Sequence, residues 1–208
     1  NCMTQLETAV TEIVDRLRAD DTARIIYAGA GASIRIAVQD GVELLPTFDW
    51  PRERVAYFVA GGDRALIESV EEAEDDEHAA RMMVGEHPIC GQDVVMALAA
   101  SGRTSFTCAV LAEAKKVGAL AIGIANNPDV PLLTNADIAI PLLTGGEALA
   151  GSTRLKAATA QKICLNMIST LVMTRLGRVR DGEMIAMRPT NAKLRDHFAR
   201  IHRDETNS

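Results

Sequence analysis

The sequence is short of aromatic side chains, of basic charge and of long apolar runs. Aromatics make up 3% of its 208 residues, although 48% are hydrophobic. Its core must therefore be built from Ala, Val, Ile, Leu and Met. Acidic residues outnumber basic ones and leave a net charge of −6. That balance excludes a general nucleic-acid surface. An anionic ligand would need a locally positive pocket instead. No apolar run approaches the roughly 20 residues of a membrane span. The opening residues also lack the charged, apolar and small-residue order of a signal peptide. The cysteines, at 2, 90, 108 and 164, make no C-x-x-C pair. Cys108 and Cys164 fall inside helical patterns and read as small core residues. This usage fits a reducing cytoplasm. The histidines, at 78, 87, 197 and 202, have no metal-ligand spacing. Neither a metal nor a cofactor is expected.

What is present is an alternation of helical and strand patterns. Residues 3–19 place apolar side chains at 6, 10, 13, 14 and 17, the spacing of an amphipathic helix. RIIYAG (24–29) is a buried strand, followed by the small-residue turn Gly29-Ala30-Gly31-Ala32-Ser33 and a helix from about Ile34. A dinucleotide fingerprint is a weak reading of that turn, because its third glycine is missing. Residues 40–50 read as a loop bracketed by Pro46 and Pro51. VAYFVAG (55–61) is the next strand, and Asp63 would cap a helix over ALIESVEEAE. Residues 78–92 read as a helix broken before Pro88. Further strands are expected at 93–99, 119–125 and 137–142. A long apolar helix is expected from 155 to 176, capped by Ser152 or Thr153 and stopped by Gly177. Residues 178–208 form an increasingly polar segment with a short helix from Asn191 to Ile201. The fold class is α/β, a three-layer sandwich around a mainly parallel five-stranded sheet, with residues 1–208 as a single domain.

Two stretches carry the candidate chemistry. DVVMALAASGRT (93–104) is a strand that ends in small residues and runs into the helix SFTCAVLAEAKKVG. Such a turn lets backbone approach a ligand, and the helix N-terminus offers free N–H groups to an anion. Ser101 and Thr104 add hydroxyls around Gly102, and Arg103 adds a forked cation. The second stretch is the acidic run from Glu71 to Glu77. Taken alone, it reads as a solvated helix end.

GAGASIR (29–35), DGVELLPTF (40–48), AGGDRAL (60–66), EEAEDD (71–76), AASGRT (99–104), GSTRLKAATAQK (151–162), LNMIST (165–170) and TNAKLRD (190–196) stand in one order. Together they resemble the N-acetylmuramic acid 6-phosphate etherases of the sugar isomerase (SIS) domain superfamily. The resemblance implies a cytoplasmic homodimer. It implies an enzyme that cleaves the lactyl ether of N-acetylmuramic acid 6-phosphate, giving N-acetylglucosamine 6-phosphate and D-lactate. It also implies that Glu43 and Glu74 are catalytic. The phosphosugar-binding residues would be Ser33, Ser101, Gly102, Arg103, Thr104, Ser152 and Lys156.

Two carboxyls suit this reaction. Removal of the C2 proton, α to the C1 aldehyde of the open-chain sugar, expels lactate from C3. Water then adds to the unsaturated aldehyde. One carboxylate acts as base and one carboxylic acid protonates the leaving oxygen. Glu43, between Val42 and Leu44-Leu45, suits an acid in apolar surroundings, and Glu74 is then the base.

The sequence departs from the family pattern in places. Ile34 stands where the pattern has glycine, on a turn expected to meet ligand. Val42-Glu43-Leu44-Leu45-Pro46 replaces Ser-Glu-Cys-Pro-Pro. Ala158 replaces the glycine of KAGTAQK. An N-terminal arm and a C-terminal helical extension of the family are lacking. Two alternatives stay open: an aldose–ketose sugar-phosphate isomerase, and a non-catalytic phosphosugar-binding regulator. The apolar surfaces of the 3–19 and 155–176 helices point to a twofold homodimer.

Overall fold

The computed structural model describes residues 2–70 and 72–186. The expected helix at 191–201 and Glu71 lie outside the described residues. The strands β1 (Ile25–Gly29), β2 (Val55–Val59), β3 (Val94–Ala99), β4 (Leu120–Ala125) and β5 (Ile138–Pro141) form one sheet in the order β2-β1-β3-β4-β5. Every pairing is parallel. β1, β3 and β4 are buried at every position. This is why their sequences read as continuous apolar runs rather than as alternations.

The sheet faces divide the core into two layers. One face carries Ile25, Tyr27, Met96 and Ile122 into a cluster with α1 (Met3–Ala19), α2 (Gly31–Phe48) and α6 (Lys156–Arg175). The other carries Ile26, Val95 and Ala97 against α3 (Glu77–Glu86) and α4 (Ser105–Lys116). The short α5 (Pro131–Thr134) connects β4 to β5. Small strand residues such as Ala28, Ala97 and Ala121 let the second layer sit close. Phe58 and Phe106 supply its bulk.

Three local expectations are corrected. Residues 40–48 are not a loop, because α2 runs through Pro46 to Phe48. Pro46 lies in the last turn, where only one helical hydrogen bond is lost. The face formed by Ile34, Ala37, Leu44 and Phe48 keeps helical spacing to the end and is buried. Among the described residues no α-helix forms over ALIESVEEAE. Residues 63–66 make a single 3-10 turn without a side-chain cap from Asp63, and Glu72 takes a left-handed conformation with φ 64°. Six carboxylates crowded into 71–77 disfavour continuous helix by like-charge repulsion. Asp76 instead caps α3, accepting from the Ala79 N–H at 2.8 Å. Neither Ser152 nor Thr153 caps α6 with its side chain. The Glu147 carboxylate does so from nine residues upstream, accepting from the N–H groups of Lys156 and Ala157, both at 2.9 Å.

Two buried carboxylates lock the layers. Asp93 accepts from the Arg24 and Cys90 N–H groups at 2.9 and 2.8 Å and pairs with the Arg24 guanidinium at 2.6 Å. It ties the starts of β1 and β3 together. Asp40, on α2, accepts from Tyr27 Oη at 2.8 Å, Asn166 Nδ2 at 2.6 Å and Ser169 Oγ at 2.9 Å. Burial, then the neighbouring Asp40, raises the Tyr27 phenol well above its ordinary pKa, so it remains a donor. Burial likewise pushes the Cys164 thiol up to about 12. It is an inert core residue, as its helical position implied.

Asp93→Ala would strand the two backbone donors and leave the Arg24 guanidinium with only the Pro88 carbonyl. It is expected to cost about 3 kcal/mol of stability, read as a lower urea midpoint at unchanged slope. A loss under about 0.5 kcal/mol, the scale of an ordinary surface substitution, would mean that the pair does not secure the sheet.

Candidate functional site

The strand order reverses between β1 and β3: the chain goes to one side for β2 and to the other for β4. In open parallel sheets the crevice at this point, outside the strand C-termini, is where ligands bind. Here the crevice is walled by the turns that follow β1 and β3, with residues 30–33 on one side and residues 99–101, 103 and 104 on the other. Each turn enters a helix. The first N–H groups of α2 and α4 therefore have no carbonyl one turn earlier and are open to an anion.

The cleft has two lobes. One, about 330 Å³, is lined by Gly31, Ser33, Glu74, Asp75, Ser101, Arg103, Thr104, Gly151 and Thr153, among others. The other, about 360 Å³, is lined by Gly31, Arg35, Ala65, Ser69, Glu72 and Glu74, among others. Ala30, Gly31 and Glu74 border both. Gly31 has φ 54°, and the space where a Cβ would stand is empty, so its backbone is bare toward the cleft.

Gly102 has a different use. Its φ is 67°, and a Cβ would lie 2.1 Å from Val130 Cγ2. Its N–H already donates to the Ala99 carbonyl, and its carbonyl accepts from Leu132. Gly102 thus shapes the turn from behind. Ser101 Oγ accepts from the Arg103 N–H at 3.2 Å, tightening the same turn. Arg103 is exposed, and no ion pair within 4 Å engages it among the described residues. The third nearby helix, α6, is already occupied at its N-terminus by Glu147. The N–H groups of Ala157 and Lys156 hold that carboxyl below its ordinary pKa.

The structure thus gathers Ser33, Glu74, Ser101, Arg103 and Thr104 around one cleft. Ser152 is not in its wall, although its neighbours Gly151 and Thr153 are. The Lys156 ammonium donates to the Gly146 carbonyl. Glu43 stands apart. It is exposed on α2, twelve residues past Gly31 and so about 18 Å along the helix axis. Apolar residues flank it in sequence but do not surround it: Leu44 turns into the core and Val42 faces solvent. Sequence reasoning passed over Arg35, Asp75, Thr153 and the Glu147 cap. For Arg35 the available signal was its place just past the first turn of a helix that opens at a ligand crevice. Among the described residues, no group of three or more His, Cys, Asp or Glu could hold a metal ion. The arrangement can bind an anion at two helix N-termini beside a carboxylate.

Residues 65–171 match the SIS domain family, and residues 5–115 match the N-terminal SIS domain of glucokinase regulatory protein. An N-acetylmuramic acid 6-phosphate etherase of Deinococcus radiodurans is 46% identical over 95% of this chain and 64% of its own length. The etherase of Shouchella clausii is 45% identical over 98% of this chain and 68% of its own length. The chain belongs to the N-acetylmuramic acid 6-phosphate etherase family. It spans about two thirds of the length of these relatives. Among solved structures, a phosphoheptose isomerase of Francisella tularensis shares the fold, with TM-score 0.62 and 16% identity over 82% of this chain and 86% of its own. The Vibrio vulnificus NanR protein, solved with ManNAc-6P, has TM-score 0.53 and 16% identity, covering 95% of this chain and 60% of its own.

Against the etherase pattern, Ile34 is the substitution expected to crowd the ligand, and it does not. Its side chain is fully buried in the layer between α2 and the sheet. One residue earlier in the turn, Ser33 faces the cleft. Successive residues of a helix point about 100° apart, so the core absorbs the extra bulk.

Arg103→Ala is expected to weaken binding of inorganic phosphate by about 1.5–3 kcal/mol, the range for a hydrogen bond to a charged group. Calorimetry that finds unchanged affinity would remove Arg103 from the anion site.

Proposed function

We propose that this chain cleaves the D-lactyl ether of N-acetylmuramic acid 6-phosphate by elimination and hydration, giving N-acetylglucosamine 6-phosphate and D-lactate. The activity is that of a carbon–oxygen lyase on a phosphorylated amino sugar. The observation that carries the reading is the placement of Glu74. It borders both lobes of the cleft, beside the anion-binding turns. The 6-phosphate sits on the N-termini of α2 and α4, held by Arg103, Ser101, Thr104 and Ser33. The sugar then extends past Glu74, which takes the C2 proton. The enolate that forms expels the C3 oxygen as lactate, and water adds to C3 in its place. Ser152 and Lys156, next to the cleft wall, belong to the same binding surface.

The acid is Glu43, and it comes from a second copy of the chain. About 18 Å of helix separates it from its own cleft, too far for one sugar to touch both ends. A twofold dimer would bring the exposed end of α2 in one protomer to the cleft of its partner. Exposed apolar side chains at Ile163 and Leu171 on α6 support such an assembly. The whole chain is read as one SIS-type phosphosugar-binding unit. A phosphorylated sugar substrate and four free thiols support a cytoplasmic setting. Among the described residues no helix is long and apolar enough to cross a membrane.

The wild-type protein is expected to release D-lactate from N-acetylmuramic acid 6-phosphate. Glu74→Gln is expected to abolish exchange of the C2 proton with solvent deuterium. Glu43→Gln is expected to slow lactate release about 10²–10⁴-fold while keeping some exchange. Mixing the two inactive variants through unfolding and refolding is expected to restore about a quarter of wild-type activity. Half of the dimers are then mixed, and each of these has one complete site. No recovery on mixing would place Glu43 in its own chain's site or outside catalysis. C2 exchange without any lactate release would favour an isomerase, and tight phosphosugar binding with neither would favour a regulator.

A further inference from the structure

The second lobe of the cleft holds a cation that neither the fold nor the proton chemistry uses fully. Arg35 leaves α2 just past its first turn, with its guanidinium braced by backbone. Its Nε and Nη2 donate to the Ala65 carbonyl at 3.1 and 2.8 Å, and Nη2 also donates to the Glu68 carbonyl at 2.7 Å. These bonds fix the plane of the fork and leave Nη1 without a partner among the described residues. Glu72 and Glu74 line the same lobe, yet neither forms an ion pair with Arg35 within 4 Å. In the other lobe Arg103 has no ion pair among the described residues. The cleft therefore has an unmatched positive charge in each lobe and a carboxylate on the border between them.

We propose that Arg35 is a substrate-specificity residue that binds the carboxylate of the ether substituent. This rests on the etherase reading of the cleft. The substrate of that reading carries two anions, a phosphate on C6 and a carboxylate on the lactyl group at C3. With the phosphate against Arg103 and the α4 N-terminus, a sugar that presents C2 to Glu74 directs its C3 substituent into the Arg35 lobe. The lactyl carboxylate then accepts from Nη1. A guanidinium held by two carbonyls is pre-oriented, so little side-chain freedom remains to be lost on binding. The contact fixes the rotation of the C3 ether, aligning the bond that breaks with the C2 proton that leaves. It also separates substrate from product. After cleavage the sugar keeps the phosphate and loses the carboxylate, and its affinity falls.

The test uses the full chain in a Glu74→Gln background, where turnover is stopped and affinities can be read by calorimetry. Three ligands are compared: N-acetylmuramic acid 6-phosphate, its lactyl carboxamide, and N-acetylglucosamine 6-phosphate. The starting protein is expected to prefer the acid over the amide. Adding Arg35→Ala is expected to weaken the acid about 10- to 100-fold and the other two by no more than about twofold. Arg35→Lys is expected to recover part of the preference for the acid. Equal losses for all three ligands would overturn the inference and reduce Arg35 to a brace for residues 65–68. Absence of an acid-over-amide preference before Arg35 is changed would overturn it as well. A preference that depends on Arg35, in a wild-type protein that releases no lactate, would sink the etherase reading and leave this one standing.

Discussion

The cleft depends on where the strands end. Gly29 pairs with Val59 on one side and with Leu98 on the other, and Ala99 pairs with Ala125, which pairs with Pro141. Five parallel strands thus finish along one edge, and the helices that follow must start there. Because β1 is flanked by β2 and β3, two of those starts open apart from each other, leaving a gap between them. A one-residue slip of β1 would turn Tyr27 away from Asp40 and bury Ile26 in the wrong layer. It would also pull the turn at Gly31 away from the turn at Ser101. The hydrogen-bond register of the sheet and the width of the site are one constraint.

Within that frame, backbone and side chains divide the work. The N–H groups at the starts of α2 and α4, which any sequence able to make the turn would provide, are open toward the cleft. What distinguishes this cleft from others built on the same turns is the few charged side chains that reach the gap. Glu147 limits what the cleft can hold. By satisfying the first N–H groups of α6 it leaves that helix end without those donors to offer the cleft. That leaves the positive end of the cleft at Arg103 and α4.

The strands and the small-residue turn after β3 were legible because buried parallel strands and such turns leave continuous marks in a sequence. DVVMALAASGRT could be read almost residue by residue. Residues 40–50 could not. Pro46 suggested a break, but a proline in a final turn leaves most of the hydrogen-bond ladder intact, and the periodic burial of Leu44 and Phe48 carried more weight. Ile34 was misread for the opposite reason. Its chemistry was plain, but its direction depends on helix phase, which begins at Gly31 rather than near Ile34. Glu43 shows a further limit. Apolar sequence neighbours say little about burial on a helix, where adjacent residues face different ways.

The Asp40 carboxylate draws its donors from distant parts of the chain: Tyr27 lies thirteen residues before it, and Asn166 and Ser169 lie 126 and 129 residues beyond it. During synthesis, therefore, the β1–α2 unit emerges long before two of the three groups that satisfy its buried charge. Until α6 arrives, packing α2 against the sheet would leave that carboxylate with a single phenol partner, a costly state for a buried anion. The docking of α6 is thus tied to completion of the first layer, and a nascent chain cut short before residue 166 has reason to keep that layer open. Domain closure waits on nearly the whole of the described chain.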